Sequence, residues 1–73
     1  MTVVEDSYIK GAFKGWTGRG VYELVNGHKW KQVEYKYKYQ YHYRPRAWIL
    51  EDGGSYHLKV EGMDETIKVR RQH

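Results

Sequence analysis

Four histidines, His28, His42, His57 and His73, carry the side chains best suited to general acid–base work or metal ligation, and their spacing serves neither. They are scattered, with no H-x-x-x-H or histidine–carboxylate motif between them. Two acidic pairs, Glu51-Asp52 and Asp64-Glu65, carry the chemistry of a hard-cation ligand, but adjacent carboxylates beside turns are ordinarily solvated. Ser55 precedes His57 by two residues, which puts both on one face of a strand. No third group stands ready to orient that histidine, as acyl transfer requires. Ser7, Thr2, Thr17 and Thr66 lie in no nucleophile motif. There is no cysteine, hence no thiolate ligand and no disulfide. Gly15-Trp16-Thr17-Gly18-Arg19-Gly20 lacks the G-x-x-x-x-G-K-S/T order of a phosphate loop. It can offer an anion only backbone N–H groups and Arg19, and a bend is the simpler reading. These residues predict no enzyme, no metal and no cofactor.

The chemistry that remains is aromatic and basic. Tyrosine occupies positions 35, 37, 39, 41 and 43, and the positions between hold Lys36, Lys38, Gln40 and His42, with Arg44 following. A period of two belongs to a strand, whose successive side chains point to opposite faces. Two readings follow. In one, the tyrosines form the inner face and supply core that three leucines cannot, leaving the polar positions wet. In the other, the rings are exposed as a stacking platform flanked by cations, which is how single-stranded nucleic acid is held. The first is preferred, because twelve aromatic rings must find places in 73 residues that need a core. Trp16, between glycines, is read the same two ways: a core plug, which is preferred, or an exposed anchor for a partner. The residues predicted to bind nucleic acid or a protein partner are Trp16, Arg19, Lys29, Lys31, Lys36, Tyr37, Lys38, Tyr39 and Arg44. The alternative partner is an extended or proline-rich protein segment.

The elements that must position these residues are strands. A first strand is expected over residues 7–13 or slightly beyond, running into Gly11, Gly15, Gly18 and Gly20, where the chain bends hard. Asn26-Gly27 marks a hairpin. A two-residue turn there would pair Glu23 with Trp30 and mix charge with rings on one face. A three-residue loop with Gly27 left-handed pairs Tyr22 with Trp30 and Leu24 with His28, and that register is chosen because it separates the faces. Pro45 ends the tyrosine run. Residues 46–51 are apolar on both faces at Ala47-Trp48-Ile49-Leu50 and predict a central strand. After a turn at Asp52-Gly53-Gly54, residues 55–60 alternate, and after another at 61–64, so do residues 66–70. Residues 1–6 and 72–73 are expected to fray, leaving one domain over 7–71. The fold class is all-β: a small antiparallel barrel of five to six strands, SH3-like, with an OB-like barrel as the alternative.

The totals agree. A 73-residue chain makes one domain whose net stability is roughly 3–5 kcal/mol. The formal charge of +4 is uneven: over residues 10–46, nine bases against two acids give +7. Such a segment suits a polyanionic partner, although the total is ordinary for a small soluble domain. No apolar stretch is long enough for a bilayer and no signal peptide is legible, which predicts a cytoplasmic protein, monomeric or weakly homodimeric through an exposed edge.

Phe13-Lys14-Gly15-Trp16-Thr17-Gly18, the stretch from Glu23 to Gln32, the tyrosine run with Arg44-Pro45, and Val60-Glu61-Gly62 together resemble a known pattern. The pattern is F-x-G-W-x-G, E-L-x-N-G-x-x-W-x-Q, Y-x-Y, R-P and V-E-G, found in a family of short bacterial proteins of uncharacterised function. The likeness covers most of the chain and implies a compact SH3-like β-barrel. It brings no catalytic residue with it.

Overall fold

A computed structural model describes residues 2–72. Met1 and His73, and the fraying expected of them, lie outside the described residues. The described residues form eight strands and no helix: β1 (Thr2–Tyr8), β2 (Ala12–Thr17), β3 (Val21–Glu23), β4 (Lys29–Gln32), β5 (Tyr37–Tyr43), β6 (Arg46–Asp52), β7 (Ser55–Val60) and β8 (Thr66–Gln72). All pairings are antiparallel. Six strands make one sheet in the order β1-β6-β7-β8-β4-β3, and β2 pairs with β5 as a separate ribbon.

Eight strands in two sheets replace the expected five or six in one barrel, and a sharp fold in a long ribbon separates the second sheet from the first. Ile9 N–H donates to Pro45 O, and Arg44 N–H to Gly11 O, each at 2.9 Å. These bonds carry the β1–β6 ladder into the β2–β5 ladder, so the four strands are one long ribbon folded across its middle. Gly11 at φ 78° and Arg44 at φ 50° make the fold, where an unbent strand would keep φ negative. The single strand expected over residues 7–13 is therefore broken at Lys10-Gly11.

The start of the chain also differs from expectation. Residues 2–6 do not fray; Thr2 pairs with Glu51 and the ladder runs to Tyr8 opposite Arg46. Side chains reinforce it. Arg46 grips Asp6 through both Nε (3.0 Å) and Nη2 (2.6 Å), and Glu5 accepts from Asn26 at 2.9 Å with His28 Nδ1 at the same distance. Position 72, expected to be loose, pairs with Lys29.

Hydrophobic patterning predicted the hairpin register. Tyr22 faces Trp30, Glu23 faces Lys29, Leu24 N–H donates to His28 O, and Gly27 takes φ 90°. β6 is a central strand between β1 and β7, as its two apolar faces require. Gly53 and Gly54, both at positive φ, close the β6–β7 turn. The core lies between the large sheet and the folded ribbon. Phe13, Trp16 and Tyr22 meet in it edge-on or tilted, at centroid separations of 5.5–5.9 Å, above Leu24, Ile49, Leu58 and Ile67. Burying each such aliphatic side chain contributes about 1.5–3 kcal/mol.

Candidate functional site

β2 runs Ala-Phe-Lys-Gly-Trp-Thr, and its two large rings are three residues apart. On a regular strand Phe13 and Trp16 would point to opposite faces. Here both are buried, because the register shifts between Phe13 and Gly15, and Gly15 takes φ 91°. A Cβ on Gly15 would lie 2.0 Å from Lys38 O, so only glycine fits. Trp16 is 0% exposed and is a core plug; it is withdrawn from the predicted binding residues for that reason.

The pairing then dictates what β5 does. Phe13 stands opposite His42, and Trp16 opposite Lys38. Opposed residues of an antiparallel pair share a face. The even positions of β5 must therefore turn toward the interior side, and the tyrosines turn outward. Tyr35, Tyr37, Tyr39, Tyr41 and Tyr43 are 54–77% exposed. The alternation is as expected, but the preferred reading of these rings as core is overturned, since Phe13, Trp16 and Tyr22 already occupy the space beneath the ribbon.

The outward face of the ribbon is thus one row of rings, Tyr37 to Tyr43 on β5 with Tyr35 just before it, beside Ala12, Lys14 and Thr17 on β2. Ala12, Gly15 and Thr17, opposite Tyr43, Tyr39 and Tyr37, are small and leave the rings uncovered. Alternate residues of a strand stand about 6.6 Å apart, which sets the spacing of the residues that carry these rings along the ribbon. Lys14 lies between the Phe13–His42 and Gly15–Tyr39 pairs and makes no ion pair among the described residues.

The other face of β5 is tied down. Lys38 pairs with Asp64 at 3.1 Å and Lys36 with Glu65 at 3.6 Å. Gln40 Nε2 donates to Gly62 O at 2.7 Å and sits 2.8 Å from His42 Nε2, whose ring stacks on Phe13. Lys36 and Lys38 are accordingly not free cations flanking the rings; they hold the strand to loop 61–65. The hydrogen bond from Lys38, and then its charge, lowers the Asp64 carboxyl below its ordinary pKa.

A buried polar network sets the entry to the tyrosine row. Tyr22 hydroxyl donates to Gln32 Oε1 at 2.7 Å and accepts from Thr17 N–H at 3.4 Å. Gln32, 1% exposed, donates through Nε2 to Glu34 O and Lys36 O, both at 3.0 Å. Tyr35 is thereby held between two anchored carbonyls. Burial raises the Tyr22 pKa, with the Thr17 contacts opposing it.

Of the remaining predicted residues, Tyr37 and Tyr39 lie in the row, and Arg44 is exposed just past its Tyr43 end, at the corner. Arg19 and Lys31 come together beyond the other end, where an open groove of ≈ 270 Å³ is lined by Arg19, Lys31, Tyr35 and Arg70. Lys29 is exposed on β4, away from the ribbon. The structure adds Lys14, Tyr35, Tyr41, Tyr43 and Arg70 to the predicted set. The small residues at 12, 15 and 17 were a signal for the uncovered rings, but one legible only once β2 and β5 are paired.

No protein-family model, no curated protein and no solved structure matches this chain. Among the described residues no helix is long and apolar enough to cross a membrane, and no group of three or more metal-ligating side chains forms.

Proposed function

We propose that this protein binds single-stranded nucleic acid, stacking bases on the tyrosine row of β5. The observation that carries the reading is the outward direction of five successive alternate tyrosines, each more than half exposed. A flat row of rings is tolerant of sequence, because every base has a π-face. Lys14 beside the row, Arg44 near its Tyr43 end and Arg19 near Tyr35 provide cations for the phosphates. The function is binding without catalysis or cofactor.

The test is a titration of labelled oligothymidylate by fluorescence anisotropy at several salt concentrations. Affinity is expected to fall steeply with salt and to drop when Tyr39→Ala and Tyr41→Ala are combined. Undetectable binding at low salt, or binding indifferent to both salt and rings, removes the reading.

A second reading rests on a different observation. Gly18 N–H donates to Lys36 O and Arg44 N–H to Gly11 O, at the two ends of the β2–β5 ladder, so the even positions along this segment turn their backbone groups toward β2. The odd positions direct theirs to the open edge, where an extended peptide could add as a strand. A protein partner retained after nuclease treatment and lost on blocking that edge would favour it.

On this reading the protein is a cytoplasmic module, monomeric or weakly dimeric, and one of the short bacterial proteins its motifs resemble. Its fold is then an SH3-like barrel left open between β2 and β3. The Ile9–Leu24 pairing and the Tyr22 hydroxyl, 3.3 Å from Gly15 O across that gap, support the last point.

A further inference from the structure

The groove at the Tyr35 end of the row is walled by the 18–20 loop, β4 and β8. Three cations, Arg19, Lys31 and Arg70, line it, and none of them makes an ion pair among the described residues. Lys31 and Arg70 stand directly opposite each other in the β4–β8 ladder. Like charges so opposed destabilise a sheet, and among the described residues no acid lies within ion-pair distance of either. The neighbouring acid is engaged elsewhere: Glu34 Oε1 accepts the Lys68 N–H at 3.0 Å. The Gln32 amide, committed to Tyr22, Glu34 and Lys36, is wall and not ligand.

Tyr35 joins the groove to the row. Its ring lies over Gly18, where a Cβ would stand 3.1 Å from Cε2, and Gly18 takes φ 88°. The next residue is Arg19. At ≈ 270 Å³ the open groove falls below the roughly 300–1,000 Å³ of sites that enclose a drug-sized molecule, and its cations suit a phosphate group.

We propose that this groove takes backbone phosphates of a single strand whose bases continue onto the tyrosine row, an inference that rests on the reading above. The track then runs from Arg70 and Lys31, past Arg19 and Tyr35, along the rings to Arg44. An anion between Lys31 and Arg70 turns their repulsion into shared attraction, so the pair costs stability when free and gains it when loaded.

Two measurements test the groove separately from the rings. Oligothymidylate binding is measured against salt for wild type, Lys31→Glu and Arg70→Gln, with melting recorded for each. Each lost phosphate contact should flatten the slope of log K against log salt by about 0.7. Lys31→Glu, now opposite Arg70, should melt at the wild-type temperature or higher, so weakened binding is not unfolding. Inorganic pyrophosphate, which has no base to stack, should shift the amide resonances of residues 19, 31 and 70 in wild type and not in Lys31→Glu. Unchanged slopes in both variants, or amides that ignore pyrophosphate, overturn the groove. If Tyr39→Ala with Tyr41→Ala leaves oligonucleotide affinity intact, the tyrosine reading fails and the groove stands on its own two measurements.

Discussion

Tyrosine plays opposite parts at different positions of this chain. Tyr22 is buried with its hydroxyl satisfied, whereas Tyr39 and Tyr41 present open rings. Replacing Tyr39 or Tyr41 by alanine should therefore change stability by no more than about 0.5 kcal/mol in thermal melting. Each should cost roughly 1–3 kcal/mol of single-strand affinity in the anisotropy titration. Trp16→Ala reverses the pattern: emptying a fully buried site costs about 3–5 kcal/mol, enough to unfold most of the population. Tyr22→Phe strands the buried Gln32 Oε1 and should cost about 1–3 kcal/mol. Because burial holds the Tyr22 pKa above its ordinary 10.0, the folded state keeps that proton longer than the unfolded chain. The contribution is complete below pH 10 and is lost as pH rises through the folded value. Alkaline melting should expose this as a loss of stability that Tyr22→Phe lacks.

At the scale of the element, the folded ribbon depends on glycine at one point. Gly15→Ala places a Cβ against Lys38 O and demands φ 91° of an L-residue, which alone costs about 1–3 kcal/mol. The clash adds to it, and urea titration should show the variant largely unfolded. β5 itself is fastened through its even positions. Asp64, its pKa lowered first by the hydrogen bond from Lys38, stabilises the folded form above its unfolded value of 3.8. That support is lost as pH falls through the lower folded value. Asp64→Asn should flatten this part of the acid limb in pH-dependent melting, and the effect should shrink in salt because the pair is exposed. The period-two alternation of residues 35–43 was legible without coordinates, and so was the Tyr22–Trp30 register. The break at Lys10-Gly11 was not, since glycine permits a corner without requiring one.

Across the whole molecule, charge and shape act together. β5 is seven residues long, about 23 Å at the usual rise, and spans nearly the full body of 30 × 25 × 24 Å. The row of rings is thus a face of the molecule, with cations at both ends and acids held on the opposite side of the strand. Of the nine predicted binding residues, Tyr37, Tyr39, Arg19, Lys31 and Arg44 lie on or beside this track. Trp16 is lost to the core, and Lys36 and Lys38 to ion pairs. Their basic charge was visible in the sequence, but which acids they meet depends on residues some 26 or more positions away.

What the amino-acid order determined by itself is that residues 35–43 have a ring face and a polar face, because a strand sends neighbouring side chains to opposite sides. Which face meets water was decided in three dimensions. Phe13 and Trp16, brought to the same side by Gly15, stand opposite His42 and Lys38, and residues so paired cannot face apart. The rings are outside because two others, from a strand some 25 residues earlier, were already inside.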